Sequence, residues 1–251
     1  MKKNMTMIRF FAGSMLLLAT ATSFAQTATA PTLSDGDKWI YDVTEEKNVA
    51  GAISALKQKW DVEISRAGAK TMAVSAKPID SNMPPKELLR NADWSVAQNI
   101  NGKNTTTSHP YDFPIKPGKT WKIEYVTENP DPRVKVQKIT KNYTVVGWVD
   151  IKVPAGTFHA LKVEMEGEWS KEYNTVGPSA TSTVANGAAG SVAIAATRKP
   201  STPQPTSGRL YDAFWYVPEM KTHVKLIVED YQAGGTLNRR VTEELATSQV
   251  N

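Results

Sequence analysis

The chain has 251 residues, with 30 Lys and Arg against 25 Asp and Glu, and it contains no cysteine. A protein that binds nucleic acid normally carries a concentrated basic face, whereas the basic residues here are scattered among polar ones. Without cysteine there is no disulfide, no thiolate metal site and no residue for lipid attachment. The composition therefore argues against a nucleic-acid binder, a disulfide-stabilised domain and a lipid-anchored protein.

Residues 1–25 have the pattern of a cleavable bacterial signal peptide. The start is basic, residues 15–19 are apolar, and Ser23-Phe24-Ala25 supplies small residues at the two positions that a signal peptidase inspects. Polar residues interrupt the apolar run well short of the roughly 20 residues that span a bilayer. We therefore predict cleavage after Ala25, which leaves residues 26–251 as a mature chain of one domain.

The leader also predicts the compartment and the charge of the mature protein. Its three basic residues leave with no acidic ones, so the formal charge falls from +5 to +2. We expect a free protein that does not span the membrane, located in the periplasm of a Gram-negative bacterium or secreted beyond the cell. The small net charge of the mature chain does not by itself indicate any class of partner.

Apolar and polar residues alternate through much of the mature chain. The alternation is clear in residues 38–44, 59–65 and 121–125. In a β-strand every second side chain faces the same side of the sheet, so these segments predict strands with one buried and one solvated face. That pattern is typical of antiparallel sheets, because parallel sheets between helices give strands that are apolar throughout.

Helix signals are scarce. Residues 84–90 begin with two prolines, which are tolerated in the first turn of a helix, and this segment predicts one short helix. The pattern of residues 48–58 is ambiguous.

Two β-hairpins are predicted in the second half of the chain. Pro154-Ala155-Gly156 suits a tight turn between strands at residues 143–153 and 158–168, because proline presets the first turn angle and glycine accepts a positive φ. Residues 224–245 form a second alternating pair that turns at Gly234-Gly235.

These signals together predict an all-β fold, an antiparallel meander of about ten strands with at most one or two short helices. Such a sheet has to protect its edges from pairing with other chains. A strongly curved sheet or a partly closed β-barrel does so.

Residues 174–208 depart from this pattern. Ala, Ser, Thr and Pro dominate the segment, and it contains no acidic residue. Because it has few apolar contacts to offset the entropy lost on ordering, we predict a mobile insertion within the domain, in which residues 191–196 fit a strand.

Two motifs are specific enough to suggest relatives, Val-Pro-Ala-Gly-Thr-Phe at residues 153–158 and Trp-Tyr-Val-Pro at residues 215–218. With residues 36–41 and 113–121, they resemble a group of exported bacterial proteins catalogued as a domain of unknown function. The resemblance covers most of the mature chain and implies a periplasmic, mostly β domain. It brings no catalytic residues, and the long Ala/Ser/Thr insertion departs from the group's pattern.

The motif residues also have a structural interpretation. Proline, glycine and a following aromatic residue are what a tight turn into a buried strand requires. We therefore interpret three residues as determinants of the fold: Pro154, Gly156 and Phe158.

No catalytic or metal-binding pattern is predicted. The chain has no Gly-x-Ser-x-Gly motif. Its three histidines, His109, His159 and His223, lack the short spacing of zinc ligands. Alternate glutamates between residues 164 and 168 are interpreted as a solvated strand face. We therefore expect no catalytic residue, no metal ion and no cofactor.

What remains is aromatic. Six residues are predicted to line a concave sheet face: Trp39, Tyr41, Trp60, Trp121, Tyr125 and Trp215. A curved sheet with such a face can enclose a cavity. The leading hypothesis is a periplasmic, non-enzymatic protein that binds a lipid, another apolar ligand or a component of the cell envelope.

Two alternatives stay open. In the first, an exposed sheet edge or residues 174–208 bind another envelope protein, which makes the chain an interaction or structural module. In the second, a hydrolase site assembles only in the folded chain. It requires His159 or His223 in a cleft beside Glu164 or Glu166, and glutamates that face bulk solvent would count against it. The sequence carries no signal for oligomeric state.

Overall fold

The structure is a computed structural model, and it describes residues 27–175, 180–187, 190–197, 201 and 203–251, with only the backbone for 180–187 and 190–197. The predicted signal peptide and its cleavage site lie outside the described residues. Within the described part, fourteen strands and one short 3-10 turn at Pro218–Met220 are present, and there is no α-helix. The strands are β1 (Lys38–Val49), β2 (Ala52–Ala67), β3 (Thr71–Pro78), β4 (Lys86–Asn91), β5 (Val96–Ile100), β6 (Lys103–Ser108), β7 (Thr120–Asp131), β8 (Val134–Val153), β9 (Gly156–Tyr173), β10 (Ala180–Gly187), β11 (Gly190–Thr197), β12 (Thr206–Val217), β13 (Thr222–Tyr231) and β14 (Leu237–Gln249).

Ten of these strands form one antiparallel sheet in the order β4-β3-β2-β1-β14-β13-β12-β9-β8-β7. The strands β4 and β7 lie at opposite edges and are not hydrogen-bonded to each other, so the sheet does not close into a barrel. Residues from both halves, on β2–β4 and on β7–β8, line the same cavity, which requires the sheet to curl around it. The predicted all-β, curved antiparallel fold is confirmed.

The predicted helix at residues 84–90 is wrong. Lys86–Asn91 is strand β4, which pairs with β3 in the register Leu88↔Val74 and Arg90↔Met72. The two prolines precede the strand rather than starting a helix. Hydrogen-bonded pairing with β3 decided the structure of this segment, and no local sequence pattern reports that pairing.

Both predicted hairpins are present. Strands β8 and β9 pair up to Val153↔Gly156, and strands β13 and β14 pair from Lys225↔Glu244 to Tyr231↔Leu237. The ambiguous residues 48–58 contain the turn between β1 and β2, where Ala50 and Gly51 have φ of 53° and 90°.

The Ala/Ser/Thr-rich insertion contains a small hairpin of its own. Strands β10 and β11 pair from Ala180↔Thr197 to Gly187↔Gly190, and β11 includes the predicted strand at residues 191–196. The segments 176–179, 188–189 and 198–200 and residue 202 lie outside the described residues. The mobility of the insertion stays a prediction.

Residues 92–119, here called the crossing segment, contain β5 and β6 and connect one edge of the sheet to the other. At its start the indole N–H of Trp94 donates to the carbonyl of Lys221 at 2.9 Å. Near its end the ring of Tyr111 lies 4.8 Å from that of Tyr216. The segment therefore runs across the concave face of the sheet.

The buried side chains form two clusters. One cluster packs around Tyr111, Tyr143 and Tyr216, and the other around Trp39 and Leu245. Trp94 of the crossing segment packs against both clusters and so connects them. The large aromatic groups account for much of the apolar area that the fold removes from water.

A buried ion pair fixes the strand β1 to the segment after the 3-10 turn. The side chain of Asp37 has no exposed surface, and it accepts hydrogen bonds from Lys221 Nζ at 2.8 Å, from the amide of Ser34 at 2.8 Å and from that of Asn251 at 2.9 Å. Burial alone would raise the pKa of Asp37, but these hydrogen bonds outweigh it and hold the pKa below its ordinary value.

We expect Asp37→Ala to destabilise the fold by about 3–5 kcal/mol, because it leaves the Lys221 charge buried without its partner. The folded state lowers the pKa of Asp37. The loss of unfolding free energy relative to the wild type is therefore complete above the ordinary pKa of 3.8, and it shrinks as the pH falls through the pKa of the folded state. Urea unfolding at a series of pH values measures it. Asp80→Ala, at an exposed position, is the control. Equal stability of the two variants at neutral pH would contradict the structural role of the pair.

Candidate functional site

The concave face of the sheet and the crossing segment line a cavity of about 600 Å³ that is partly open to solvent. Residues of β1–β4, β7, β8 and β12–β14 form its wall, and residues of the crossing segment form its roof. Pockets that bind small molecules commonly measure roughly 300–1,000 Å³. The cavity is therefore large enough for a small organic ligand.

Most of the lining is apolar or aromatic. The apolar and aromatic side chains come from seven of the ten strands of the sheet and from the roof: Tyr41, Val43, Trp60, Val62, Val74, Ala76, Leu88, Trp94, Val96, Pro110, Tyr111, Tyr125, Phe214, Leu226 and Val228. Such a surface favours ligands that are themselves largely apolar.

Three of the six aromatic residues predicted for a binding face line this cavity. Tyr41 and Trp60 are cross-strand partners on β1 and β2, and Tyr125 lies on β7 at the other side. The hydroxyl of Tyr41 donates to the carbonyl of His223 at 2.9 Å, which fixes the ring at the cavity wall.

The other three predicted residues lie elsewhere. Trp39 is fully buried in the second cluster, and Trp121 stacks on Tyr143 with ring centroids 5.2 Å apart. Trp215 follows Phe214 on β12 and therefore faces the opposite side of the sheet, where the ammonium groups of Lys162 and Lys225 lie 5.2 and 5.9 Å from its ring. None of the three is among the residues that line the cavity.

The predicted turn residues lie away from the cavity, at the tip of the hairpin β8–β9. The amide of Ala155, between Pro154 and Gly156, donates to the carbonyl of Leu245 at 2.9 Å. Phe158 packs against the second buried cluster. Their role in determining the fold stays a prediction.

Four charged residues and one histidine lie among the apolar lining: Arg90, Lys141, Asp212, His223 and Glu243. None of them was among the predicted binding residues, and only His223 was considered at all, in the hydrolase alternative. A signal for some of them was present in the sequence. Asp212 stands between Leu210 and Phe214 in an otherwise apolar alternation, and a charged residue on the inward face of a strand is unusual unless it is paired or functional.

Asp212 and Lys141 are the first two charged residues of the cavity whose charges act on each other. Burial raises the pKa of Asp212 to about 7, although the positive charge of Lys141 acts in the opposite direction. Burial also lowers the pKa of Lys141, whose ammonium group donates to the carbonyl of Thr107 in the crossing segment at 2.9 Å. The Asp212 carboxyl group is therefore partly protonated near neutral pH.

His223 and Glu243 form a polar pair. Their side chains meet at 3.2 Å between Nε2 and Oε2, and the other ring nitrogen of His223 lies 3.4 Å from the hydroxyl of Thr222. The ring of Tyr41 stacks on the imidazole with centroids 5.0 Å apart. Both ring nitrogens and one ring face of His223 are thus in contact with protein groups.

The arrangement required for the hydrolase alternative is not formed. Glu164 binds Lys162 and the hydroxyl of Tyr211 outside the cavity, and Glu166 is exposed. His159 lies on the surface beside Asp150, with 2.7 Å between Nδ1 and Oδ1. The structure therefore places neither His159 nor His223 beside these glutamates.

The described residues contain neither a metal-binding cluster nor a membrane-spanning helix. No group of three or more His, Asp or Glu side chains in that part of the chain could hold a metal ion. No helix there is long and apolar enough to cross a membrane.

No protein-family model and no curated protein matches the sequence. Among solved structures, a protein from Bacteroides fragilis NCTC 9343 that is inferred to be exported, with a YmcC-like fold, aligns with a TM-score of 0.41 and 12% identity over 88% of this chain and 99% of its own. A protein from Parabacteroides distasonis ATCC 8503 inferred to be a lipoprotein aligns with a TM-score of 0.42 and 11% identity over 89% and 100%. Both similarities are too weak to carry an argument about this chain, so the resemblance to exported proteins stays a prediction.

We expect Lys141→Met to raise the pKa of Asp212 above its value of about 7, because the substitution removes the positive charge that favours the carboxylate. Titration of the Asp212 carboxyl carbon by nuclear magnetic resonance measures the change. Lys138→Met is the matched control, since Lys138 lies on the same strand but pairs with Glu124 on the outer face. A fall of the Asp212 pKa in Lys141→Met, or an equal rise in both variants, would show that Lys141 does not act on Asp212.

Proposed function

We propose that the protein is an exported, non-enzymatic binding protein that holds a largely apolar small ligand in the cavity beneath the crossing segment. The observation that carries this proposal is the cavity itself, about 600 Å³ of space lined mainly by apolar and aromatic side chains. A concave space of this size, lined mainly by apolar groups with a few polar ones, is typical of sites that bind small molecules.

The magnitude of apolar burial is consistent with a ligand of moderate affinity. Each buried CH₂ group contributes about 0.8 kcal/mol, so an alkyl chain of roughly ten such groups gains about 8 kcal/mol before the cost of association. That gross gain corresponds to a dissociation constant on the order of micromolar at best. Aliphatic molecules of this length are therefore suitable probes.

The environment of His223 supports binding rather than catalysis. A general base needs a ring nitrogen directed at the substrate, within hydrogen-bonding reach. Both nitrogens of His223 contact Glu243 or Thr222, and Tyr41 covers one face of the ring. These contacts favour a structural role for the only histidine that lines the described cavity.

The proposed site of action rests on the leader. Residues 1–25 combine a basic start, an apolar centre and small residues before the predicted cleavage position. The absence of cysteine supports a product without a lipid anchor on that residue.

The cavity proposal predicts that a neutral apolar dye binds at one site. We expect the fluorescence of phenylnaphthylamine to rise on binding to the wild-type protein, with one dye per chain. Val228→Trp places a large side chain in the cavity and should weaken binding about tenfold or more, which corresponds to about 1.4 kcal/mol. A fluorescence titration measures both values.

Ile227→Trp is the matched control for this experiment. Ile227 precedes Val228 on β13 and faces the other side of the sheet, so its replacement leaves the cavity unchanged. Circular dichroism verifies that both variants fold. A wild-type protein that binds no dye, or two variants with equal affinity, would refute the proposed function.

Export predicts a processed protein in the cell envelope. We expect the mass of the chain recovered from the periplasmic fraction to correspond to a first residue of Gln26, because Ser23 and Ala25 fit the signal peptidase. Intact-mass spectrometry of the fractionated cells measures it, and Ala25→Arg should leave the leader attached. A full-length chain in the cytoplasmic fraction would refute export.

A further inference from the structure

We infer that the ligand of this cavity is amphipathic and that Arg90 binds an anionic head group at one end of it. The inference rests on the proposed function, since it requires that the cavity holds a ligand. It adds the chemical class of that ligand and its orientation.

The side chain of Arg90 faces the cavity. Strand β4 pairs with β3 in the register Leu88↔Val74 and Arg90↔Met72, which puts Arg90 and Leu88 on the face of the sheet that encloses the cavity. Leu89, between them, faces outward and is 69% exposed. The strand thus turns a charged residue inward and an apolar one outward, the reverse of the usual arrangement.

The environment of the guanidinium group disfavours its charged form. Burial lowers the pKa of Arg90, and no charged neighbour in the described part of the chain counteracts this effect. The other charges of the lining differ in this respect, because Lys141 interacts with Asp212, and Glu243 pairs with His223. Arg90 is the cation of the described lining that has no anionic partner.

A guanidinium group stays protonated under all physiological conditions, so the partly buried Arg90 keeps its charge at the cavity wall. Its planar fork of donors matches the oxygens of a carboxylate or a phosphate and binds them with two parallel hydrogen bonds. A ligand that supplies such an anion would give the Arg90 charge the partner that the described part of the chain does not provide.

The apolar part of the ligand has a continuous surface next to Arg90. Leu88 adjoins Arg90 on the inner face of β4, its cross-strand partner Val74 lies on β3, and Val62 and Trp60 follow on β2. This strip leads from the edge of the sheet toward its centre. The ligand would lie with its head at the edge strand β4 and its tail along the strip.

A competing role for Arg90 follows from its position on an edge strand. An inward-pointing charge is one of the devices by which edge strands avoid pairing with other chains. This role predicts self-association when the charge is removed and no discrimination between ligands. The two roles therefore differ in a measurable property, the preference for an anionic head group.

The experiment measures displacement of phenylnaphthylamine by three probes of equal chain length, dodecanoate, dodecyl phosphate and dodecanol. We expect the wild type to bind at least one of the two anionic probes about tenfold or more tightly than dodecanol, as charge-assisted hydrogen bonds imply. Arg90→Gln should abolish this preference and leave the affinity for dodecanol within about threefold of the wild type. The comparison of dodecanoate with dodecyl phosphate identifies which head group is preferred.

Two further variants keep the test decisive. Arg90→Lys retains the charge without the fork and should reduce the preference while the fold is maintained. Arg66→Gln removes an exposed arginine on β2 and should change nothing.

If dye and dodecanol bind but the wild type shows no preference for an anion, or if the preference survives in Arg90→Gln, the inference is overturned while the proposed function stands. Self-association of Arg90→Gln with an unchanged preference assigns Arg90 to edge protection. Failure of both dye and dodecanol to bind overturns the proposed function, and the inference with it.

Discussion

A ten-stranded sheet with one apolar face has to keep water from that face, and an open sheet cannot do so by closing on itself. In this protein the crossing segment takes that role. Its contacts are spread over both halves of the sheet, through the ring contact of Trp94 with Trp39 on β1 and the hydrogen bond from Lys141 on β8 to the carbonyl of Thr107. The segment covers the concave face without filling it, because its side chains pack at the two buried clusters and leave the space between them. The cavity is therefore a direct consequence of how the sheet is covered.

Local sequence signals predicted most of the strands, because alternation and turn chemistry act over a few residues. The segment around Trp39 and the turn at Pro154 and Gly156 contain everything that their local structure requires. Strand β4 was mispredicted as a helix for the opposite reason. Its two prolines are a local signal, whereas the pairing of Leu88 with Val74 is a tertiary interaction that no local pattern reports.

The candidate site was predicted only in part, and the limit is physical. Alternation identifies the inward face of a strand, but it does not tell whether a side chain on that face packs against protein or borders a cavity. Trp39 and Tyr41 both face inward on β1. Trp39 is buried and donates a hydrogen bond to the carbonyl of Met220, which lies 181 positions later in the chain, whereas Tyr41 reaches the cavity. The charged residues were open to prediction by the reverse argument. Asp212 interrupts an inward alternation that would otherwise be apolar, and that interruption marks the site better than the aromatic residues do. Arg90 gave no such signal, because its segment was predicted as a helix and Lys86 shares its face of β4.

Two kinds of buried charge can be compared within this one fold. Asp37 is satisfied by Lys221 and by two backbone amides, so that its pKa is lowered and the charged form is favoured by the folded chain. In the cavity, burial raises the pKa of Asp212 to about 7 and lowers that of Arg90, so the folded chain disfavours the charged form of both. A fold that needed only stability would place apolar groups at such positions, because a buried charge without a partner costs more than a well-packed hydrocarbon side chain. The contrast favours a structural role for the Asp37 pair and a functional one for Arg90, whose missing anionic partner a ligand can supply.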